Sequence, residues 1–378
     1  MGAGDETPME QQQLQAEDAL IDAGQDAEAE NQLCSYVKIE RLCESGVNVA
    51  DIAKLKQAGF CTTNSIVSVM RKDLVAVKGL GEAKVDKIIE AAYKTMGSLV
   101  LAQQAGQGGG NNGPVSHFFQ TAEEALAKHQ STRFFISTGA SSLDEVLRGG
   151  IESGQITELY GEFRCGKTQL CHTLAVQGQL HEQFPGRCLY IDTEGTFRPD
   201  RIQEICQALT VDSDEIMANI ITARAMTSEH LNQLLKEACS MMVDESSGQF
   251  AIVIIDSIMG LMRQDFTGRG ELSERQQLLG KTLNKLSKIA HEFNVAVVLT
   301  NQVMADPGGY QLQGCLGLEG CKVVNVMLVW HDRKTCDARP TRDDPSTCHA
   351  KTQLVMRKAQ HYHSVLSEHV LFLMLCCA

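Results

Sequence analysis

Apolar positions recur along this chain with two different periods. Between about residues 35 and 93 the spacing is helical, through Ile39, Leu42, Val47, Ile52, Leu55 and Phe60, then Ile66, Val69, Leu74 and Val77. From Phe134 onward, short apolar runs alternate with helical stretches. The runs at 156–160, 188–192, 220–222, 250–256 and 295–300 read as strands, and 169–180, 231–243 and 272–293 read as helices. Near-continuous apolar strands separated by helices predict a mainly parallel sheet covered by helices on both faces, an α/β fold. The helical region before it forms a small domain of its own.

Composition adds the segments between these blocks. Residues 1–32, rich in Gln, Glu, Asp and Ala, hold too few large apolar side chains to offset the entropy of ordering, and read as a disordered acidic arm. The helical domain occupies 33–96, and 97–133 reads as a linker because it contains Gln107-Gly108-Gly109-Gly110-Asn111-Asn112-Gly113-Pro114. The α/β core spans 134–309, followed by a divergent segment over 310–378. That last segment holds Cys315, Cys321, Cys336, Cys348, His331 and His349. A zinc site there lacks the C-x-x-C spacing that would support it. A splice or reading-frame change is the simpler account of the shift, and it would leave the sheet without its closing strands.

Net charge is −13, so the chain is not one that coats nucleic acid by bulk electrostatics. Any DNA contact must be local. The 14 cysteines accompany no recognisable signal peptide, which favours a reducing intracellular compartment over a disulfide framework, and no apolar run approaches the length of a membrane span.

The chemistry centres on Gly161-Glu162-Phe163-Arg164-Cys165-Gly166-Lys167-Thr168, which fits G-x-x-x-x-G-K-[ST] between a strand and a helix. Such a loop turns successive backbone N–H groups toward phosphate oxygens, and the next helix adds its positive end. Lys167 would reach the terminal phosphates and Thr168 would hold Mg²⁺, with Gln169 beginning the helix beyond. A thiol at Cys165 sits where a helix terminus and a lysine can acidify it, although a small packed side chain is the plainer reading. The strand 250–256 ends in Asp256, a second metal-side carboxylate. Glu194 lies beyond the strand 188–192, placed to activate a water, and Gln302 ends another strand where it could sense the γ-phosphate.

Within the helical domain, Lys78-Gly79-Leu80-Gly81-Glu82-Ala83-Lys84 places Gly79 and Gly81 at a helix-hairpin-helix turn. That turn could offer backbone N–H groups and Lys78, Lys84 and Lys87 to DNA phosphates. Phe118-Phe119 precede the core and could plug a neighbouring subunit or pack on the chain's own core.

Together these strings resemble the RecA-like DNA strand-exchange recombinases of eukaryotes, over about residues 30–309. The stretches 161–173, 190–201, 256–257 and 265–277 carry the likeness, and 256–258, 266–272 and 301–309 are closest to the meiosis-specific branch. The resemblance implies a RecA-like P-loop ATPase core after a helix-hairpin-helix domain, using ATP and Mg²⁺. It implies a nuclear homo-oligomer, a helical filament or ring, acting on single- and double-stranded DNA with recombination mediator proteins. Phe119 and Ala122 match an F-x-x-A subunit plug, and Arg201 matches a residue lying against adenine. Arg263, Phe266, Arg269, Gly270 and Arg275 fall in or beside the first DNA-binding loop. A regulatory isoform that binds ATP and caps a full-length filament is the alternative, since the chain after Gly309 departs from the family pattern.

Overall fold

The computed structural model describes residues 36–105, 121–161, 163–266, 270–302, 323–330 and 370–375. The arm over 1–32, Phe119, Glu162, Arg269 and the cysteine and histidine set of the tail lie outside them.

The N-terminal domain is all helical. A short 3-10 turn (Ile39–Cys43) leads into α1 (Val49–Gln57), α2 (Thr63–Val67), α3 (Arg71–Val75) and α4 (Glu82–Ala105). Asn48 caps α1 by accepting the Ala50 N–H, and Thr62 and Ser65 form a reciprocal capping box on α2. The predicted apolar spacing converges in one core of Ile39, Leu42, Leu55, Ile66, Leu74, Val85 and Ala92. Helix α4 continues through residue 105, into the stretch whose composition read as linker. Gly97 alone, at about 1 kcal/mol of propensity, does not stop a helix of this length.

After α5 (Ala122–Thr132) the core begins with a two-stranded antiparallel ribbon, β1 (Phe135–Ile136) and β2 (Ile151–Glu152), spanning α6 (Ser141–Val146). The main sheet then builds from β3 (Ile156–Gly161), β4 (Arg187–Asp192), β5 (Ile220–Arg224), β6 (Phe250–Asp256), β7 (Ala296–Gln302), β8 (Val323–Trp330) and β9 (Val370–Leu375). Its helices are α7 (Lys167–Gln177), α8 (Pro199–Leu209), α9 (Ser213–Ala218), α10 (Ser228–Val243), α11 (Ile258–Asp265) and α12 (Leu272–Phe293). Strand order is β5-β4-β6-β7-β3-β8-β9, and every pairing is parallel.

Alternate side chains of each strand serve opposite faces. Leu189, Ile191, Val253, Ile255, Val297 and Leu299 pack with α10 and α12, whereas Cys188, Tyr190, Ile252, Ile254, Ala296 and Val298 pack with α7 and α8. The polar positions of β3 do not face solvent as their alternation implies. Glu158 is fully buried and accepts from Asn301 Nδ2 at 2.8 Å.

Two strands beyond residue 309 correct the expectation of a sheet without closing strands. β8 pairs with β3 from Ile156↔Val323 to Gly161↔Leu328, and β9 pairs with β8. The apolar run of β8 lies within a stretch whose overall composition departs from that of the core.

The helical domain seats on α10 and α12. Cys61 enters the core cluster of that face, and the Tyr36 ring lies 5.0 Å from that of Phe293. Tyr36 donates its hydroxyl to the Met242 carbonyl at 3.2 Å, Lys288 Nζ donates to the Ser68 carbonyl at 2.9 Å, and Thr62 donates to the Glu292 carboxylate. Burial raises the Glu292 carboxyl above its ordinary value.

Candidate active site

Parallel pairing brings the carboxyl ends of β3, β4, β6 and β7 to one edge, where ligands of open α/β sheets bind. Gly161 lies opposite Gln302, and Asp192 opposite Asp256.

At that edge the chain leaves β3 and turns into α7. Gly166 occupies the helix N-cap with φ +91°, a left-handed conformation that strains any side chain. No side chain caps the helix, so its first N–H groups are left for the loop's hollow. Lys167 is buried, and its Nζ donates to the Gly161 carbonyl at 2.9 Å and lies 3.4 Å from Cys165 Sγ. Cys165 itself is only 1% exposed and belongs to the core beneath the loop, which fits the plainer of its two readings. Phe163 stands 73% exposed with the Arg164 guanidinium over its ring.

Asp256 gathers four hydroxyls. Its Oδ2 accepts from Thr168 Oγ1 at 2.8 Å, Tyr190 Oη at 3.1 Å and Thr196 Oγ1 at 3.5 Å, while Oδ1 accepts from Thr300. The two sequence-predicted metal residues, Thr168 and Asp256, are thus in contact. Burial raises the Tyr190 hydroxyl far above its ordinary value, so it remains a donor.

Glu194 stands beyond the end of β4. Asp192 folds this loop by accepting the N–H groups of Glu194, Gly195 and Phe197 at 2.7–3.0 Å. Glu194 Oε1 accepts from Ser257 Oγ at 2.7 Å and Gln302 Nε2 at 3.2 Å. Gly260 permits this approach, because a Cβ there would lie 3.3 Å from Glu194 Oε1. Arg201, at the start of α8, donates from Nε to Gln169 Oε1 at 2.9 Å.

The sequence named Thr168, Lys167, Glu194, Asp256 and Gln302, and the fold brings all five to one edge. Tyr190, Ser257 and Thr300 were not singled out. Their positions in the site follow from strand register and helix packing, which carry no local motif.

Of the residues expected to meet DNA, Arg263 and Phe266 lie within and at the end of α11, and Gly270 and Arg275 lie before and within the first turns of α12. Arg263 on α11 donates from Nη2 to the Gln302 carbonyl at 2.9 Å, and Phe266 caps α11. Gly270 is exposed in open space, and Arg275 lies half-buried near the start of α12.

In the helical domain, Gly79 takes φ +84° and its carbonyl accepts from Lys54 Nζ at 3.1 Å. Lys84 is not a freely offered cation, because its Nζ donates to both oxygens of Asp51 at 2.9–3.0 Å. Lys84 and then Lys54 hold the Asp51 carboxyl below its ordinary 3.8. A carboxylate depressed on folding contributes stability above its unfolded value and loses it as pH falls through the folded one. Thermal melts of the full chain are therefore expected to show an added loss below about pH 4, absent in Asp51→Asn. Identical acid profiles would remove this account of the domain.

Comparison with known proteins agrees with the geometry. Residues 129–319 match the Rad51 family, and residues 45–94 match the SAM-like helix-hairpin-helix tandem. The meiotic recombination protein DMC1 homolog of Lilium longiflorum is 46% identical over 288 residues, which is 75% of this chain and 76% of that protein.

The chain belongs to the Rad51 family.

The DMC1/LIM15 homolog of Homo sapiens is 48% identical over 276 residues, covering 72% of this chain and 75% of its own. The DNA repair protein RAD51 homolog of Solanum lycopersicum is 46% identical over 274 residues, covering 72% and 73%. Rad51-family proteins are DNA-dependent ATPases and strand-exchange recombinases, and this chain is one of them. The family match passes Gly309 and ends at residue 319.

Proposed function

We propose that this chain hydrolyses ATP with Mg²⁺ at the edge of its sheet, and that this drives homologous pairing on single-stranded DNA in meiotic recombination and double-strand break repair. The observation that carries the reading is the contact of Thr168 with Asp256 beside Glu194 and Gln302, next to an uncapped helix start.

The residues fit the nucleotide and the metal. Backbone N–H groups of 163–168 would cradle the phosphates, with Lys167 moving from the Gly161 carbonyl to a phosphate oxygen. Hydroxyl and carboxylate oxygens at Thr168 and Asp256 suit Mg²⁺, which when bound supplies charge neutralisation on the phosphates. Glu194 takes a proton from the attacking water, and Gln302 holds that carboxylate in place. Arg201, which donates to Gln169, would lie against the base.

Arg263 links this chemistry to DNA, since it touches the strand end that bears Gln302. With Phe266, Arg269, Gly270 and Arg275 it would hold the single strand, while the Gly79 and Gly81 turn contacts duplex. Phe119 and Ala122 would join protomers in a filament or ring. The edge strand β5, whose Ile220, Ile221 and Ala223 are half-buried, would receive that segment. Recombination mediator proteins and a nuclear location complete the reading. Among the described residues no helix is long and apolar enough to cross a membrane.

The test is the full chain with ATP, Mg²⁺, a single strand and homologous duplex. Strand-stimulated phosphate release together with joint molecules is the expected result. Normal hydrolysis and co-assembly with a full-length recombinase, without joint molecules, would favour the capping isoform instead; nothing in the fold favours it now.

A further inference from the structure

His172 lies one turn beyond Thr168 on α7, and it is fully buried. Its ring stacks on Tyr190 at 5.8 Å and 13°, and tilts against Phe197 at 5.5 Å. Nε2 accepts the backbone N–H of Arg198 at 3.2 Å. An accepting nitrogen carries no proton, so the neutral ring bears its proton on Nδ1. Nδ1 is buried with no hydrogen-bond partner. An unpaired buried donor destabilises a fold, and a phenylalanine would stack equally well without it. What histidine adds at this place is the acceptor for Arg198.

We propose that His172 is a positioning residue that holds the loop carrying Glu194 against the phosphate-loop helix. Asp192 ties residues 194–197 to the loop's own strand, but it does not tie them to α7. Two hydrogen bonds between described residues cross from α7 to the segment beyond β4. One is the exposed contact of Gln169 with Arg201, whose guanidinium also donates to Glu204. The other is the bond from the Arg198 backbone N–H to the fully buried His172 ring. Burial keeps the imidazole below its ordinary value, with Asp256 and Asp192 opposing and Arg201 and Arg198 reinforcing, so the acceptor stays available. The same ring backs Tyr190, whose hydroxyl reaches Asp256, so both carboxylates of the site are aligned from one side chain.

This inference rests on Glu194 acting as the base, and the experiment separates the two. His172→Phe keeps the ring and removes the acceptor, while His172→Gln returns an acceptor near the Nε2 position. In the full chain, His172→Phe is expected to lower kcat of strand-stimulated ATP hydrolysis about tenfold with KM for ATP within about twofold, and His172→Gln to recover most of it. Amide hydrogen exchange at Arg198 should speed up in the phenylalanine variant, stay slow in the glutamine variant, and be unaffected by Glu194→Gln.

If Glu194→Gln hydrolyses ATP normally, the base assignment fails and exchange at Arg198 alone judges His172. If Glu194→Gln is inactive while His172→Phe keeps wild-type kcat, the inference is overturned. Should the phenylalanine variant melt near assay temperature, His172→Asn, whose shorter amide stops short of Arg198, replaces it. Unchanged exchange and unchanged kcat in that variant overturn the proposal equally.

Discussion

Lys167→Ala is expected to lower strand-stimulated ATP hydrolysis by about 100- to 1,000-fold, the range for removing one preorganised charge from a reacting phosphate. Retention of ATP should fall with it. The ammonium donates to the Gly161 carbonyl, inside the loop it serves, and alanine would leave the phosphates without that cation. Backbone N–H groups alone would then face the phosphates. Phosphate release and fluorescent-nucleotide binding measure the two quantities. Wild-type hydrolysis in this variant would remove the site from the reaction altogether.

Glu194→Gln separates chemistry from binding. Loss of a general base costs about 100- to 10,000-fold in kcat, and the amide preserves shape. Gln302 and Ser257 can both still hydrogen-bond an amide oxygen in place of the carboxylate oxygen. ATP affinity should therefore stay within about threefold of wild type, since no ground-state contact to the phosphates is removed. Complexes on single-stranded DNA should outlive those of the wild type. A variant that instead loses ATP affinity with kcat intact would assign Glu194 to holding the site together.

What could be read before folding, and what could not, divides along the range of the signal. The phosphate loop is a local string whose glycines, lysine and threonine must be adjacent, so eight residues announce it. Asp256 was visible because it ends an apolar strand and Glu194 because it follows another by two residues, and parallel strands end at one edge. Tyr190 and Thr300 were not, for they reach Asp256 only through neighbouring strands, 66 and 44 residues away. Lys84 shows the same limit. Its sequence neighbourhood is a hairpin open to phosphate, but its partner Asp51 lies 33 residues earlier on α1. The strand β8 was hidden by its surroundings, since composition averaged over a long segment masks an eight-residue apolar run.

Helix α12 has 22 residues and so extends about 33 Å as a single rod. One end follows directly from Gly270 and carries Arg275, while the other is where Lys288, Glu292 and Phe293 receive the helical domain. A stiff rod transmits tilt rather than absorbing it. The separation between Gly270 and the seat of the helical domain is therefore fixed by the length of one helix.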